Sequence, residues 1–407
     1  MKNKTILVVA YHYPPEEGSC SEKNTRIVKL LKDSGYTVKV LTKAYINEKN
    51  SVDVIRTEKN GILHKLKDGN VGCEQNNENK NFQKYSNLKK FISSSIIPDS
   101  IIDWFFEVKK LYIKENQLFS NIDLILSISS PYSAHIISNY LSKKMNVPYI
   151  MCYGDPWVYE PKRKRNKFRL FIEKNIESKL IKNAKKVLLI TEWNKKKYIE
   201  LYNIPENKIL TYHIGYDKKD CLDFKVSNAE DKFKIIYGGS LDSVHRDPEP
   251  FIKAMRSING VEVYIYNSDN HNVKTMIDTN GVSDRVHLLP IISSAEFNKK
   301  LYEMDALLLF GNKTPFQVPG KVFTYISTNK SIIYIKNNNF DDDGTQMVLN
   351  DYGNSVTIKN EENEIIDGLN AIRNKQNQNK INSEMFEFHN TMSPILLAVE
   401  DVIKEDI

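Results

Sequence analysis

What most constrains this chain is a rhythm of short apolar runs, each followed by a stretch with helical spacing. The rhythm plays through once, stops and starts again. Residues 6–10 make a first strand, and the segment 22–34 after it puts Ile27, Leu30 and Leu31 on one helical face. Gly35 then stands where a helix C-terminal glycine belongs. Strands at 38–42, 123–128, 148–153, 186–190 and 208–213 alternate with helices at 133–144, 168–183 and 192–202. Such alternation builds parallel α/β sheets. A polar stretch, 216–231, interrupts it with Asp217-Lys218-Lys219-Asp220 at its start. Strand 234–237, a helix at 250–257 and strands 261–266, 286–290, 306–310 and 332–335 follow. The helix before 306–310 opens on Ser293-Ser294-Ala295-Glu296, a capping-box pattern. The expected organisation is two doubly wound domains, 1–215 and 216–391, with an amphipathic closing segment at 392–407.

The bulk numbers agree. At 407 residues the chain exceeds what one core normally accommodates. Apolar residues make up 41% and charged residues 27%, as in a globular protein. The net charge of +7 (58 basic against 51 acidic side chains) is too modest to imply a nucleic-acid partner, but suits an anionic substrate or membrane surface. Cys20, Cys73, Cys152 and Cys221 form no Cys-x-x-Cys pair, which points to a reducing cytoplasm. No run reaches the roughly 18 apolar residues of a membrane span, and 6–10 is too short for a signal-peptide core. Residues 43–119 are less regular, with 59–87 polar enough for a long surface excursion.

In doubly wound sheets ligands gather at the carboxyl ends of strands, so the segments there carry the chemistry. Tyr11-His12-Tyr13-Pro14-Pro15-Glu16-Glu17-Gly18-Ser19 follows the first strand; Gly18 permits close backbone approach to a ligand, although a Pro-rich turn would need no ligand. Tyr153-Gly154-Asp155-Pro156-Trp157 offers a carboxylate to orient a sugar hydroxyl and an aromatic face to stack on a sugar. Asp155 as a cap and Trp157 as core is the alternative. In Gly238-Gly239-Ser240-Leu241…His245-Arg246-Asp247-Pro248, small residues make room after a strand, and Arg246 brings a planar fork for phosphate oxygens. Gln317-Val318-Pro319-Gly320-Lys321-Val322-Phe323-Thr324-Tyr325 places a lysine in the first turn of a helix, where backbone amides and an ammonium attract an anion. The densest basic run, Lys162-Arg163-Lys164-Arg165-Asn166-Lys167, is either a solvated helix start or a contact for anionic lipid. Asp341-Asp342-Asp343 reads as a loop and helix cap, and no His/Cys/Asp/Glu set has metal spacing. There is neither a P-loop nor a nucleophile elbow.

Taken in order, Pro14-Pro15…Gly18-Ser19, Pro98-Asp99…Trp104, Asp155-Pro156-Trp157, Gly239-Ser240…Arg246-Asp247-Pro248 and Pro319-Gly320-Lys321 resemble the retaining family-four glycosyltransferases of the GT-B fold, in their bacterial surface-polysaccharide branch. The resemblance implies two Rossmann-like domains facing an interdomain cleft, with the last helix returning to the first domain. It implies a nucleotide-diphosphate sugar donor, a glycan or lipid-linked glycan acceptor, and neither cofactor nor metal. Carried onto this sequence, it gives the donor to Gly18, Ser19, Gly239, Ser240, Arg246, Pro319, Gly320, Lys321 and Thr324, and the acceptor side to His12, Asp155 and Trp157. Asp155, Arg246 and Lys321 become the catalytic set, the two cations stabilising the departing diphosphate. Four positions depart from the pattern: Thr324 stands where a ribose-binding Glu is expected, Phe316 where its partner acid would fall, Gly154 where Arg is usual, and Ser240 where many members have a second Arg. A non-catalytic relative that binds a glycan, a nucleotide or a partner therefore stays open. A GT-B epimerase would want carboxylates that these segments lack.

Overall fold

Most strands predicted in the first half are rich in Val, Ile and Leu with few polar interruptions, the composition of parallel strands covered on both faces. The computed structural model describes the chain except residues 1–3, 46–47, 49, 60–95, 161–164, 222–231, 243–244, 268–270, 342, 375–380 and 406–407. Contacts divide it into two units: Met1–Ile190 with Asn194–Tyr212 and Met392–Ile407, and Thr191–Trp193 with His213–Thr391.

The first unit runs β1 (Thr5–Ala10), α1 (Ser19–Asp33), β2 (Thr37–Thr42), β3 (Val54–Arg56), α2 (Trp104–Lys114), β4 (Leu124–Ile128), α3 (Ser133–Met145), β5 (Tyr149–Cys152), α4 (Lys167–Asn183), β6 (Lys186–Leu189), α5 (Glu192–Tyr202) and β7 (Ile209–Thr211). Its sheet has the order β3-β2-β1-β4-β5-β6-β7, all parallel. Leu7, Val9, Ile125, Met151 and Val187 are fully buried in its core. Helix α1 buries Ile27, Leu30 and Leu31 and ends as expected: Gly35 has φ 89°, and the Tyr36 amide returns to Leu31 O at 3.1 Å. The irregular region 43–119 holds β3 and α2, which the sequence reading did not place; the polar excursion falls almost wholly outside the described residues.

The second unit runs β8 (Phe233–Gly238), α6 (Glu249–Ala254), β9 (Val261–Tyr266), α7 (His271–Thr279), β10 (Val286–Leu289), α8 (Ser294–Tyr302), β11 (Ala306–Phe310), α9 (Lys321–Ile326), β12 (Ser331–Lys336), α10 (Gly344–Tyr352), β13 (Ser355–Lys359) and α11 (Glu362–Asn374). Its parallel sheet has the order β10-β9-β8-β11-β12-β13. The capping box forms: Ser293 Oγ accepts from the Glu296 amide at 3.2 Å, and Glu296 accepts from the Ser293 amide at 3.1 Å. Asp343 caps α10, accepting from the Thr345 amide at 2.9 Å. After α12 (Phe388–Thr391), α13 (Ser393–Glu405) groups with the first unit, and its Asp401 pairs with Lys186 of β6 at 3.1 Å.

Because each sheet is parallel, its carboxyl ends share one edge. In the first unit β1, β4 and β5 are neighbours, and in the second β8, β11 and β12 are. The loops singled out from the sequence leave from these strands.

Candidate functional site

In the second unit, β8 ends in a pair of glycines for a steric reason. A Cβ on Gly238 would lie 2.3 Å from Phe297 Cζ, and Gly239 takes φ 150°, in the region that favours glycine. The backbone can thus run over the Phe297 ring, and Lys321 Nζ sits over the same ring, 4.9 Å from its centroid. Arg246 reaches this edge from a short hairpin, with its amide donating to Asp242 O at 2.9 Å and the Asp242 amide returning to Arg246 O at 3.1 Å. The Arg246 guanidinium donates through Nε to Asn312 Oδ1 at 2.9 Å, tying it to the loop after β11. His245 O accepts from the Lys313 amide and from Asn337 Nδ2, each at 3.1 Å, which adds the loop after β12.

The electrostatics of this edge are one-sided. Lys321 is exposed as a residue, yet burial around its ammonium, and then the Arg246 charge, lower its pKa. Neither cation has a carboxylate within 4.0 Å among the described residues. Two like charges held together without a counter-charge repel each other, and an anion placed between them reverses that cost.

The surroundings amend the sequence reading in one place. Helix α9 has six residues, and its Val322 and Phe323 amides donate to Pro319 O (3.0 Å) and Gly320 O (3.2 Å). These amides, expected to face a phosphate, are spent within the turn, leaving the side chains as the main attraction. Phe316, which stands where the partner acid would fall, packs edge-on against Trp193, with centroids 4.4 Å apart. Thr324 is half-buried, Pro319 half-buried and Gly320 exposed. Ser240 is exposed, and its carbonyl accepts from the Tyr237 hydroxyl at 3.0 Å.

In the first unit, His12 Nδ1 lies 3.0 Å from both oxygens of Glu16, which also takes Lys43 Nζ at 2.9 Å. Burial alone would raise the Glu16 pKa, but the Lys43 hydrogen bond and His12 outweigh it and hold the carboxyl below its ordinary value. Gly18 precedes α1 with φ 121° and open space where a Cβ would be, so backbone conformation, not crowding, calls for glycine there. Ser19, exposed, opens the helix. Asp155 is half-buried in the loop after β5.

Two expectations for this unit are corrected. Trp157 is fully buried and stacks on Tyr132 at 5.1 Å with 9° between planes, so its face is not offered to a sugar. In the basic run, residues 161–164 lie outside the described residues. Arg165 turns inward, donating to Val158 O at 2.8 Å and pairing through Nε with Glu173 at 2.7 Å. It pins the loop after Trp157 rather than facing a lipid surface.

The sequence reading missed Lys23, whose side chain is buried against Ser129 O. The signal was present: Lys23 lies four residues before Ile27, on the inner stripe of α1. Among the described residues no three His, Cys, Asp or Glu side chains gather as metal ligands.

Two doubly wound parallel sheets of this kind define the GT-B fold. Solved structures align over nearly the whole chain: a sucrose-phosphate synthase from Thermosynechococcus elongatus (TM-score 0.61, 13% identity, 99% of this chain and 97% of that one). Others are the Anabaena protein HepE in complex with UDP and glucose (0.57, 11%, 99% and 98%) and a Listeria monocytogenes protein assigned as a UDP-N-acetylglucosamine 2-epimerase (0.59, 11%, 98% and 97%). At such identities the likeness establishes the fold. No protein-family model matches the chain, and no curated protein matches it. Among the described residues no helix is long and apolar enough to cross a membrane.

Proposed function

We propose that the protein is a glycosyltransferase that moves a hexose-type sugar from a nucleotide-diphosphate donor to a glycan or lipid-linked glycan acceptor of the bacterial surface, with retention and without a metal. It would work in the cytoplasm, at the inner face of the membrane. The observation that carries this is that Arg246 and Lys321, at the carboxyl edge of the second sheet, feel each other's charge and have no carboxylate within 4.0 Å among the described residues. As the anomeric carbon–oxygen bond breaks, negative charge gathers on the departing diphosphate, and these two side chains would stabilise it. The acceptor oxygen bonds to the anomeric carbon on the same face, and its proton passes to an oxygen of the departing diphosphate, so no strong protein base is needed. Asp155 would contact the acceptor or the transferring sugar.

The test is a thermal-shift and calorimetry panel of nucleoside diphosphates, because a ligand bound only by the native state raises apparent stability. Arg246→Ala and Lys321→Ala should each weaken binding by about ten- to hundredfold, the range of a charge-assisted hydrogen bond of roughly 1.5–3 kcal/mol. Thr324→Glu should tighten it by about tenfold, since a carboxylate accepts from ribose hydroxyls more strongly than a hydroxyl does. If no nucleoside diphosphate binds at millimolar concentration, and no substitution changes this, the proposal falls. Phe316 against Trp193, and Thr324, favour a second reading, a GT-B protein that binds a nucleotide without turnover. Tight nucleotide binding with no release of nucleoside diphosphate from any nucleotide sugar would select it.

A further inference from the structure

Lys23 is the only buried lysine among the described residues, with 4% of its surface exposed. Its Nζ donates to Ser129 O at 2.8 Å, and the same carbonyl accepts from the Gly154 amide at 3.1 Å. An ammonium has three N–H donors, and Ser129 O is its one hydrogen-bond acceptor here among the described residues. No carboxylate of the described residues lies within 4.0 Å of it.

The groups that feel its charge do not supply a counter-charge. Burial pushes the Cys152 thiol up to about 11, keeping it neutral. Burial, and then Lys23 itself, push His135 down to about 3, so its imidazole is neutral as well. Two further polar groups nearby are left over: the Ser129 hydroxyl and His135 Nε2 are buried without a hydrogen-bond partner. Gly154 lets the ammonium lie close against this backbone, since a Cβ there would lie 2.5 Å from Nζ. A buried, unpaired charge costs several kcal/mol unless an opposite charge joins it. A net positive charge with N–H donors to spare is the complement of an oxyanion.

We propose that Lys23, with the Ser129 and Gly154 segments beside it, forms an anion-binding subsite of the first unit that takes a phosphoryl or carboxylate group of a small-molecule ligand. The assignment of that group to the acceptor rests on the transferase proposal above, in which Arg246 and Lys321 serve the donor diphosphate. The acceptor would then carry its own anionic group, such as a sugar phosphate or a uronate.

Thermal unfolding of the full chain in sodium phosphate, sodium malonate and sodium chloride at matched ionic strength tests the subsite. Phosphate or malonate should raise the Tm of the wild type and of Lys321→Ala above the chloride value, phosphate alone marking a phosphoryl subsite and malonate a carboxylate one. Lys23→Met should abolish that rise in the Lys321→Ala background, and should be no less stable than wild type in chloride. Stabilisation by UDP should show the opposite pattern, lost in Lys321→Ala and kept in Lys23→Met. Loss of the UDP effect in Lys23→Met would overturn the acceptor assignment, because Lys23 would then serve the donor. If Lys23→Met does not fold, 15N NMR of the wild-type lysine side chains reads the same site. One ammonium signal should move with phosphate or malonate and not with chloride. A Lys321→Ala protein indifferent to both anions, or a Lys23→Met/Lys321→Ala protein that responds as Lys321→Ala does, overturns the subsite.

Discussion

Glu177 should make the first unit lose stability as pH rises, the reverse of the usual behaviour of a carboxylate. It is fully buried on α4, and three tyrosines donate to it: Tyr153 and Tyr198 to Oε1, each at 2.8 Å, and Tyr202 to Oε2 at 2.5 Å. Burial raises its pKa and the tyrosine hydrogen bonds pull it back, leaving it raised from 4.5 to about 7. In the unfolded chain the carboxyl loses its proton near the ordinary value; in the fold it keeps the proton to higher pH. The fold therefore binds more protons between these limits, so this contribution is full below the unfolded pKa and is lost as pH rises through about 7. A shift of roughly 2.5 units corresponds to about 3 kcal/mol at 1.36 kcal/mol per unit. Urea unfolding of wild type and Glu177→Gln, followed from about pH 5 to about pH 8, isolates it, because glutamine cannot titrate. The wild type should lose up to about 3 kcal/mol relative to the variant across that range. A flat difference, or a wild type that gains on the variant with rising pH, would refute the argument by showing that the tyrosines stabilise the ionised form more than burial opposes it. The cage also bears on the candidate site. The Tyr198 hydroxyl accepts from the Trp157 amide at 2.9 Å, so the loop carrying Asp155 is anchored to the same carboxyl.

Three other outcomes are expected. Asp99→Ala removes acceptors for the Ile101 amide (3.1 Å), the Ser133 amide (3.0 Å) and the Ser133 hydroxyl (2.6 Å), and should cost about 3 kcal/mol at about 1 kcal/mol per bond, read as a lowered urea midpoint. Gly238→Ala forces a methyl into Phe297 and should cost about 1–3 kcal/mol while weakening nucleoside diphosphate binding through Lys321; unchanged stability would show that Phe297 yields freely. If the exposed Phe168 (73%) and Phe171 (65%) beside Lys167 meet an anionic membrane, co-sedimentation with acidic vesicles should fall with salt and with Phe168→Ser/Phe171→Ser, whereas equal binding to neutral vesicles would count against it.

The sheets were legible because their strands are continuous apolar runs, and a parallel strand needs little else. What escaped had weaker local signals. Strand β3 has three residues, too few to show a pattern. Helix α11 did carry one, with Ile365, Ile366, Leu369 and Ile372 at helical spacing, and the sequence reading did not place it. The loops at the carboxyl ends were visible from Gly and Pro placement, but the direction of each side chain was not. Asp155 and Trp157 lie two residues apart, and one is half-buried in the loop while the other is core. Polarity allowed Trp157 to be either core or a sugar-facing ring, and the choice is made by Tyr132 and Tyr198 arriving from elsewhere in the chain.

Charge shows the same limit more sharply. Lys43, Arg165, Arg246, Lys321 and Lys23 are equivalent cations in the sequence, and the fold gives them different fates. Lys43 finds Glu16, 27 residues away, and Arg165 finds the buried Glu173. Each of those pairs is complete, so neither calls for a ligand. Arg246, Lys321 and Lys23 have no such partner among the described residues, and all three sit where strands of a parallel sheet end. Holding cations there unpaired works against stability, and it persists across two separate sheets of one chain. Lys23 is buried, at 4% exposure, so its missing counter-charge points most directly to an anion that the protein binds.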